Sequence, residues 1–320
     1  MPPVKPLVAG IDLGGTNIQI GIVDAENRVV GREKRKTKPD NGAEAVLDRI
    51  AEAVQKACAD AGVEVKDLAA VGIGAPGAID HDNGVVMEAP NLRWNDLPLS
   101  KMLSKRLMDL PVTIDNDVNV AIYGENKLGA GNNAQEALGV WVGTGIGGGL
   151  ILGGHVFYGA FGTAGEIGQT VLFPNAPMGY RTLEECCSRK YVVERIERLI
   201  RANHKSILPE LAGGPLSEIG ASTLGKAYEK GDDLTCAVVN ESAALLGTAI
   251  ANMVTVLALP LVILGGGMTE GLGKPYVDLV AESLRESVFP ERCRKVKVLA
   301  TKLADDAGLL GAALMARERI

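Results

Sequence analysis

The chain has 320 residues, of which 47% are hydrophobic and 22% charged, and its formal net charge is −6. This length favours two domains, each large enough for its own core, and this composition excludes a disordered or fibrous protein. The negative balance argues against a nucleic-acid partner, and the one dense basic run, residues 32–38, is typical of a solvated strand face.

Cysteine and hydropathy patterns bear on location and on metal binding. The five cysteines are odd in number and show no C-x-x-C pairing, so neither a disulfide framework nor a zinc knuckle is indicated. The most apolar tract, residues 253–264, is too short to span a bilayer and contains Pro260. The chain start lacks the charged and apolar regions of a signal peptide. We therefore expect a cytoplasmic protein in a reducing compartment, without a membrane partner.

The first predicted element is a β-hairpin over residues 7–23, in which two apolar runs flank a short turn. The turn consists of Gly14, Gly15, Thr16 and Asn17. Glycines expose backbone N–H groups at such a tip, where they can bind an anion. Asp12 lies just before the turn, and a carboxylate beside an anion is favourable only if a cation bridges the two. The stretch therefore predicts a binding site for a metal-bound phosphate.

The same design occurs again in the second half of the chain. Residues 138–142 form one predicted strand and residues 150–152 another. The turn between them begins with Gly143, Thr144 and Gly145. Two units of strand, glycine turn and strand indicate a duplicated architecture, with two lobes that face one polyphosphate in a cleft that excludes water.

Helical and extended patterns alternate between the two hairpins. The predicted elements are a helix over 42–61, a strand over 68–75, a polar loop over 91–96, a helix over 100–109, a strand over 112–115 and a helix over 118–128. Asn116 and Asp117 stand between the last strand and the last helix. Such side chains either cap the helix or reach a ligand crevice at the carboxyl end of the strand, and spacing leaves both roles open.

The second half contains a further glycine-rich loop and a third glycine turn. The loop, residues 162–169, carries the carboxylate Glu166, which needs polar partners if it is buried. A buried strand over residues 261–264 runs into the turn, which consists of Gly265, Gly266 and Gly267. Helices are predicted over residues 183–202, 237–259 and 307–316.

Three stretches match nucleotide-binding motifs only in part. Residues 72–77 and 143–148 fit G-x-G-x-x-G, but each precedes an extended segment rather than a helix, so neither predicts a dinucleotide site. Residues 220–227 nearly match a P-loop, but Ala227 stands where the magnesium-binding hydroxyl is required. This last stretch is more typical of a helix start.

With these pieces in order, the chain resembles the ROK family of sugar kinases. The motifs that carry the resemblance follow the family's order along essentially the whole chain, at residues 12–17, 74–77, 89–92, 116–119, 143–149, 164–168 and 264–267. The resemblance implies a homodimer and an α/β fold of the two-lobed actin-like, hexokinase-like (ribonuclease H-like) kind with an interdomain cleft. We expect the smaller lobe to contain residues 1–116 and 305–320, and the larger lobe residues 117–304.

The resemblance also implies roles for individual residues. Asp117 would be the base that takes the proton from the primary hydroxyl of the sugar, a task for which a correctly placed carboxylate suffices. The sugar would be held by Gly77, Asn91, Asn116, Glu166, Gln169 and Glu184. ATP would bind at Asp12, Gly14, Gly15, Thr16, Asn17, Gly143, Thr144, Gly145, Gly265, Gly266 and Gly267. Mg²⁺ would be carried by the nucleotide near Asp12.

One departure from the family pattern concerns zinc. The family usually has a histidine at the position of Gln169, followed by cysteines that bind structural zinc together with it. Residues 178–182 contain no cysteine, and Cys186 and Cys187 fall out of register and are typical of buried helix residues. We therefore expect no zinc, and we expect Gln169 to donate to a sugar hydroxyl.

The sequence thus predicts an ATP-dependent kinase that phosphorylates a hexose, with glucose as the first candidate. N-acetylmannosamine, fructose or another hexose is an alternative acceptor, and polyphosphate an alternative donor. Other classes are a nucleotide hydrolase and a non-catalytic, sugar-responsive regulator. A repressor of the family carries a DNA-binding helix-turn-helix, for which the first strand, near Leu7, leaves no room. The expected partners are therefore a sugar, a nucleotide and a second copy of the chain, without nucleic acid.

Overall fold

The computed structural model describes residues 6–320. The expectation that no signal peptide begins the chain falls partly on residues 1–5, outside the described residues. The strands are β1 Val8–Leu13, β2 Asn17–Val23, β3 Val29–Lys36, β4 Ala70–Ala75, β5 Ala78–Asp80, β6 Val85–Ala89, β7 Trp94–Leu97, β8 Val112–Asn116, β9 Ala137–Val142, β10 Ile146–Leu152, β11 His155–Val156, β12 Leu261–Gly265 and β13 Lys297–Ala300. The α-helices are α1 Ala43–Asp60, α2 Leu99–Arg106, α3 Asp117–Leu128, α4 Leu183–Cys187, α5 Arg189–Arg201, α6 Leu208–Ala212, α7 Ala221–Glu229, α8 Asp233–Leu257, α9 Gly267–Ser287 and α10 Ala307–Glu318.

The chain divides into two compact units. Of the described residues, the first unit contains 6–133, His155–Ala164 and Asp305–Ile320, and the second contains Ala134–Gly154 and Gly165–Ala304.

This division differs from the expected boundary after residue 116, because α3 belongs to the first unit. There α3 packs closely against α10. A Cβ on Gly311 of α10 would lie 1.7 Å from the backbone oxygen of Val120 in α3, so only glycine permits this approach. The packing of α3 and α10 therefore decides which unit carries Asp117.

The sheet of the first unit has the strand order β3, β2, β1, β4, β8. The first three strands are antiparallel, whereas β4 and β8 run parallel to β1. Helix α1 packs on β2 and β3, and α10 packs on β1 and β4. Gly10 and Gly72 lie opposite each other in β1 and β4, and a Cβ on either would lie 1.9 Å from a backbone oxygen of α10. The absence of side chains here lets α10 lie directly on the sheet.

The sheet of the second unit repeats this plan. Its strands β10, β9, β12 and β13 correspond in order to β2, β1, β4 and β8, with an antiparallel hairpin followed by two parallel strands. Apolar residues of α8, α9 and the strands form the core of this unit. The duplicated architecture predicted from the two glycine turns is therefore confirmed in the topology of the two sheets.

Several predicted elements have other limits in the structure. The helix predicted over 183–202 is two helices, α4 and α5, because Ser188 between them has extended backbone angles, φ −69° and ψ 154°. The helix predicted to reach residue 109 ends at Arg106, and both Met108 and Asp109 have a positive φ. The polar loop predicted over 91–96 contributes a strand, β7, which pairs with β6.

Helix α8 begins at Asp233, four residues earlier than residue 237. The side chain of Asp232 accepts a hydrogen bond from the backbone N–H of Thr235 and so caps this start. By length and composition alone α8 could cross a membrane, with a mean hydropathy of 1.5, but a core helix passes the same test. It packs against α4, α5, α7 and α9, and Val239 and Ile250 are among its fully buried residues.

Candidate active site

The first hairpin turn is held in one shape by backbone and side-chain hydrogen bonds. Gly14 N donates to Asn17 O at 2.9 Å across the turn. The buried Thr37, which follows β3, donates from Oγ1 to Gly14 O at 2.6 Å and from its backbone N to Thr16 O at 2.9 Å. The carbonyl groups of Gly14, Thr16 and Asn17 are thus satisfied by the protein. Such a fixed glycine turn is suited to present backbone N–H groups to an anion.

Asp12 lies beside the start of α10. A Cβ on Gly308 would lie 3.0 Å from the Asp12 Cγ, so glycine makes room for the carboxylate. Burial raises the pKa of Asp12 to about 6; the negative charge of Asp305 adds to this, and Lys34 opposes it. An ionised Asp12 is therefore costly in the protein alone, and a cation beside it would favour the charged form.

Asn116 connects β8 to α3 and caps the helix. Its Oδ1 accepts from the backbone N of Val118 at 2.8 Å and of Asn119 at 3.2 Å, and its Nδ2 donates to Gly77 O at 3.0 Å. Asp117 is the first residue of α3, and its Oδ1 accepts from Val118 N at 2.9 Å. The capping role that the sequence left open is therefore filled mainly by Asn116.

A buried carboxylate, which the sequence analysis did not single out, stands directly behind this pair. Asp115 is 2% exposed, and it accepts hydrogen bonds from Asn116 N at 2.7 Å, Asn119 Nδ2 at 3.0 Å and Tyr158 Oη at 2.5 Å. The Tyr158 ring stacks on His81 with the centroids 3.9 Å apart. The position of Asp115 at the end of an apolar strand could have drawn attention to it in the sequence. Its contact with Tyr158 could not be predicted, because the two residues lie 43 positions apart.

The other predicted sugar ligands of the first unit lie near these turns. Asn91 is exposed, and its Cβ would lie 3.5 Å from a Cβ on Gly15 of the hairpin turn. Gly77 has φ +98°, and a Cβ there would lie 2.1 Å from Glu88 O, so the position requires glycine. The structure thus brings Asn91 close to Gly15 and ties Gly77 to Asn116.

The second glycine turn is linked to the start of α5. Gly143 N donates to Gly145 O at 2.9 Å across the turn, and Arg189 N donates to Gly143 O at 2.9 Å. The Arg189 guanidinium donates from Nη2 to Thr144 Oγ1 at 2.8 Å. Arg189 is not recognisable as a site residue from the sequence, because its partner Thr144 lies 45 positions earlier.

The predicted sugar ligands of the second unit lie beside this turn. Glu184 Oε2 accepts from Ile146 N at 2.8 Å, where the turn enters β10. Glu166 is exposed, yet neighbouring groups desolvate its carboxylate enough to raise its pKa, and the negative charge of Glu184 adds to this effect. Gln169 is exposed at the end of the short 3₁₀ turn Ile167–Gln169, and its backbone N donates to Glu166 O at 3.1 Å. The two glutamates are therefore electrostatic neighbours.

The third glycine turn connects β12 to α9. Gly266 has φ +82°, and a Cβ there would lie 2.8 Å from backbone atoms of Val142. A Cβ on Gly265 would lie 2.5 Å from the indole of Trp141 in β9. Trp141 pairs with Gly265 as Asp12 pairs with Gly74 in the first sheet, so the two side chains occupy corresponding positions.

The segment over residues 170–182, where the family carries zinc ligands, is held together in this protein by hydrogen bonds and a contact between two aromatic rings. Leu172 N and Phe173 N both donate to Arg181 O, and the rings of Phe173 and Tyr180 stack with centroids 6.3 Å apart. At the start of α4, Glu185 Oε2 accepts from the backbone N of Arg181 and of Thr182. Cys186 and Cys187 are buried in α4, as predicted.

Comparison with known proteins bears on these sites. The model of the ROK family matches residues 8–319. The chain belongs to the ROK family. A glucokinase of Thermotoga maritima is 33% identical to this ROK chain and covers 100% of it and 99% of its own length.

Solved ROK structures resemble this one. The structure of a ROK family glucokinase from Streptomyces griseus, in complex with glucose and AMPPNP, matches with a TM-score of 0.87 and 31% identity, over 98% of this chain and 99% of its own. A ROK hexokinase from Thermus thermophilus matches with a TM-score of 0.78 and 30% identity, over 98% of both chains. These matches confirm the predicted α/β fold of the actin-like, hexokinase-like kind.

The raised pKa of Asp12 predicts a pH-dependent cost in stability. The unfolded chain releases this proton near pH 3.8 and the folded protein near pH 6, so the stability that the protonated form contributes is lost as the pH rises through this window. The loss amounts to about 3 kcal/mol at pH 8. We predict that, without ligands, Asp12→Asn is more stable than the wild type, and that this difference in the free energy of unfolding grows from pH 4 to pH 8, up to this amount.

Urea unfolding at several pH values measures this gain. Asp48→Asn is the matched control, because Asp48 has an exposed side chain in an ion pair with Arg106. It should show no comparable gain. A difference between Asp12→Asn and wild type that is the same at pH 4 and pH 8 would contradict the assignment.

We also predict that the purified protein holds no stoichiometric zinc, because Gln169 stands where the family has a histidine and residues 178–182 contain no cysteine. Elemental analysis after gel filtration measures the metal content. Incubation with a chelator should leave the midpoint of thermal unfolding unchanged. One zinc per chain, or a midpoint that falls on chelation, would show that a metal contributes to the fold.

Proposed function

We propose that this ROK protein transfers the terminal phosphoryl group of ATP to the primary hydroxyl of a hexose, with glucose as the first candidate. The glucokinases that it resembles over 97–100% of its length bear out the coarser prediction of a sugar kinase. Glucose and an ATP analogue occupy the Streptomyces griseus relative, which supports the same ligand classes here. The observation that carries the finer proposal is the placement of Asp117 at the head of α3, next to a separate capping residue.

Asp117 is the proposed base. Asn116 caps α3 and is fixed to Gly77, so the neighbouring Asp117 is held at a rigid corner between strand and helix. The start of a helix is favourable for a negative charge. Phosphoryl transfer proceeds through a loose transition state in which the acceptor hydroxyl loses its proton late, so positioning by an ordinary carboxylate suffices. The buried Asp115, with its three donors, stabilises this corner from behind.

The proposed sugar ligands are polar groups that hydroxyls would satisfy. Asn91 and Gln169 have exposed side chains, and Gly77 supplies backbone next to Asn116. Glu166 carries a raised pKa, and donation by sugar hydroxyls would favour its ionised form. Glu184 also accepts from the second glycine turn, so it would link sugar binding to that turn.

The three glycine turns are the proposed nucleotide ligands. Backbone N–H groups of the turns that contain Gly14 and Gly143 would hold phosphate oxygens, and Gly265 to Gly267 would lie against the nucleoside. Among residues 6–320, no group of three or more His, Cys, Asp or Glu side chains is arranged to hold a metal. Mg²⁺ needs only one or two protein carboxylates when phosphates bind it, and Asp12 fits that requirement. The ion would neutralise phosphate charge.

Replacement of the base tests the catalytic half of the proposal. Asp117→Asn keeps the size of the side chain but removes the proton acceptor, so we expect kcat to fall roughly 10²- to 10⁴-fold. Calorimetry should still detect sugar binding. Asp48→Asn on α1 serves as the control and should keep full turnover. Turnover near the wild-type rate in Asp117→Asn would remove Asp117 from this role.

A screen of acceptors tests the substrate half. Release of ADP from ATP is followed with glucose, mannose, fructose and N-acetylmannosamine. In a parallel series polyphosphate replaces ATP, and formation of the sugar phosphate is followed instead. We expect the highest kcat/KM with glucose and ATP. The analogue 6-deoxyglucose should inhibit without being phosphorylated, because it lacks the accepting hydroxyl. ADP release that no sugar stimulates would indicate a hydrolase instead.

A further inference from the structure

Arg189 makes three hydrogen bonds that tie the second glycine turn to the rest of its unit. Its backbone N donates to Gly143 O at 2.9 Å, and Nη2 donates to Thr144 Oγ1 at 2.8 Å. Nη1 donates to Ile219 O at 2.7 Å. Arg189 is the first residue of α5, so its backbone position is fixed by the helix. The planar guanidinium spans two acceptors at once, which a lysine cannot do in the same geometry.

The acceptor Ile219 leads directly into α7. Helix α7 begins at Ala221, and the Cβ of that residue would lie 3.5 Å from a Cβ on Gly267, the first residue of α9. Arg189 therefore connects the second glycine turn with the helix start that borders the third. Both turns are proposed nucleotide ligands. The P-loop-like stretch over residues 220–227, which lacks the P-loop hydroxyl, thus forms the start of α7 beside the third glycine turn.

The bond to Thr144 constrains the direction of its hydroxyl proton. An oxygen that accepts from a guanidinium points a lone pair at it, so its own O–H is directed elsewhere and can donate. Thr144 is exposed at the tip of the turn, where a ligand could accept that bond. The guanidinium also keeps a permanent positive charge next to the tip, and two bonds do not exhaust its five N–H donors. Both effects favour an anion.

We propose that Arg189 is a positioning residue of the nucleotide site, which orients the Thr144 hydroxyl and places a positive charge beside it for the phosphates of the donor. The proposal rests on the proposed function, since it concerns the same turn. It assigns Arg189 a role in binding the phosphoryl donor and none in binding the sugar.

The test compares Arg189→Gln, Arg189→Lys and Thr144→Val with the wild type. Loss of a charged hydrogen bond should raise the KM for ATP roughly tenfold in Arg189→Gln, with the KM for sugar unchanged. Arg189→Lys keeps the positive charge but loses the planar guanidinium that reaches two acceptors. Its KM for ATP should therefore lie between the values of the wild type and of Arg189→Gln. Because Arg189 acts partly through Thr144, the double variant should be less impaired than the two single effects multiplied.

Direct binding of AMP, ADP and ATP by calorimetry separates this proposal from the proposed function. If the wild type binds ATP but phosphorylates no sugar, the proposed function is overturned. The affinity of Arg189→Gln for ATP then still tests the role of Arg189 in nucleotide binding. The loss of affinity should grow with the number of phosphates.

The matched control is Arg195→Gln, also on α5, which loses an ion pair with Glu241 away from the turn. Its KM for ATP should equal the wild-type value. If Arg189→Gln is unfolded at the assay temperature, Arg189→Lys carries the test. An unchanged KM for ATP, or equal rises in the KM values for ATP and sugar, would overturn the proposal.

Discussion

The packing of α10 on the first sheet is the constraint on which the geometry of the first unit depends. Gly10 and Gly72 leave room for the backbone of α10, and Gly311 lets α3 approach it. Because α10 begins beside Asp12 and α3 begins with Asp117, this one helix from the end of the chain fixes the surroundings of both carboxylates. A side chain at Gly10 or Gly72 would displace α10 from the sheet, and one at Gly311 would displace α3 from α10. Either change would alter the surroundings of Asp12 or Asp117.

The carboxylates of Asp12, Asp115 and Glu166 fall into two groups by the hydrogen-bond donors that surround them. Asp115 is buried, but three hydrogen-bond donors satisfy it, so it needs nothing from outside the protein. Asp12 and Glu166 have raised pKa values, first from desolvation and then from a neighbouring negative charge. Groups of the second kind cluster at functional sites, because a ligand relieves a cost that the protein alone does not.

Local patterns predicted the strands, the glycine turns and the repeated plan of the sheets, because each depends on residues close together in the chain. Features that depend on distant partners were missed. The sequence did not place α3 with α10, or Arg189 beside Thr144, or Tyr158 on Asp115, since these contacts join segments far apart. The break at Ser188 was also missed, because the apolar period continues across it. Residue roles in the site came from the family resemblance, since spacing left Asn116 and Asp117 open between capping and binding.

The two sheets share one plan, and one pair of corresponding positions in their hairpins carries side chains of opposite character. Asp12 in β1 and Trp141 in β9 each pair with a glycine of the neighbouring parallel strand. One half of the repeat therefore offers an acid where the other offers an indole. Within the corresponding strands of the two sheets the backbone plan is shared, so the difference between a charged and an aromatic surface there lies in the side chains.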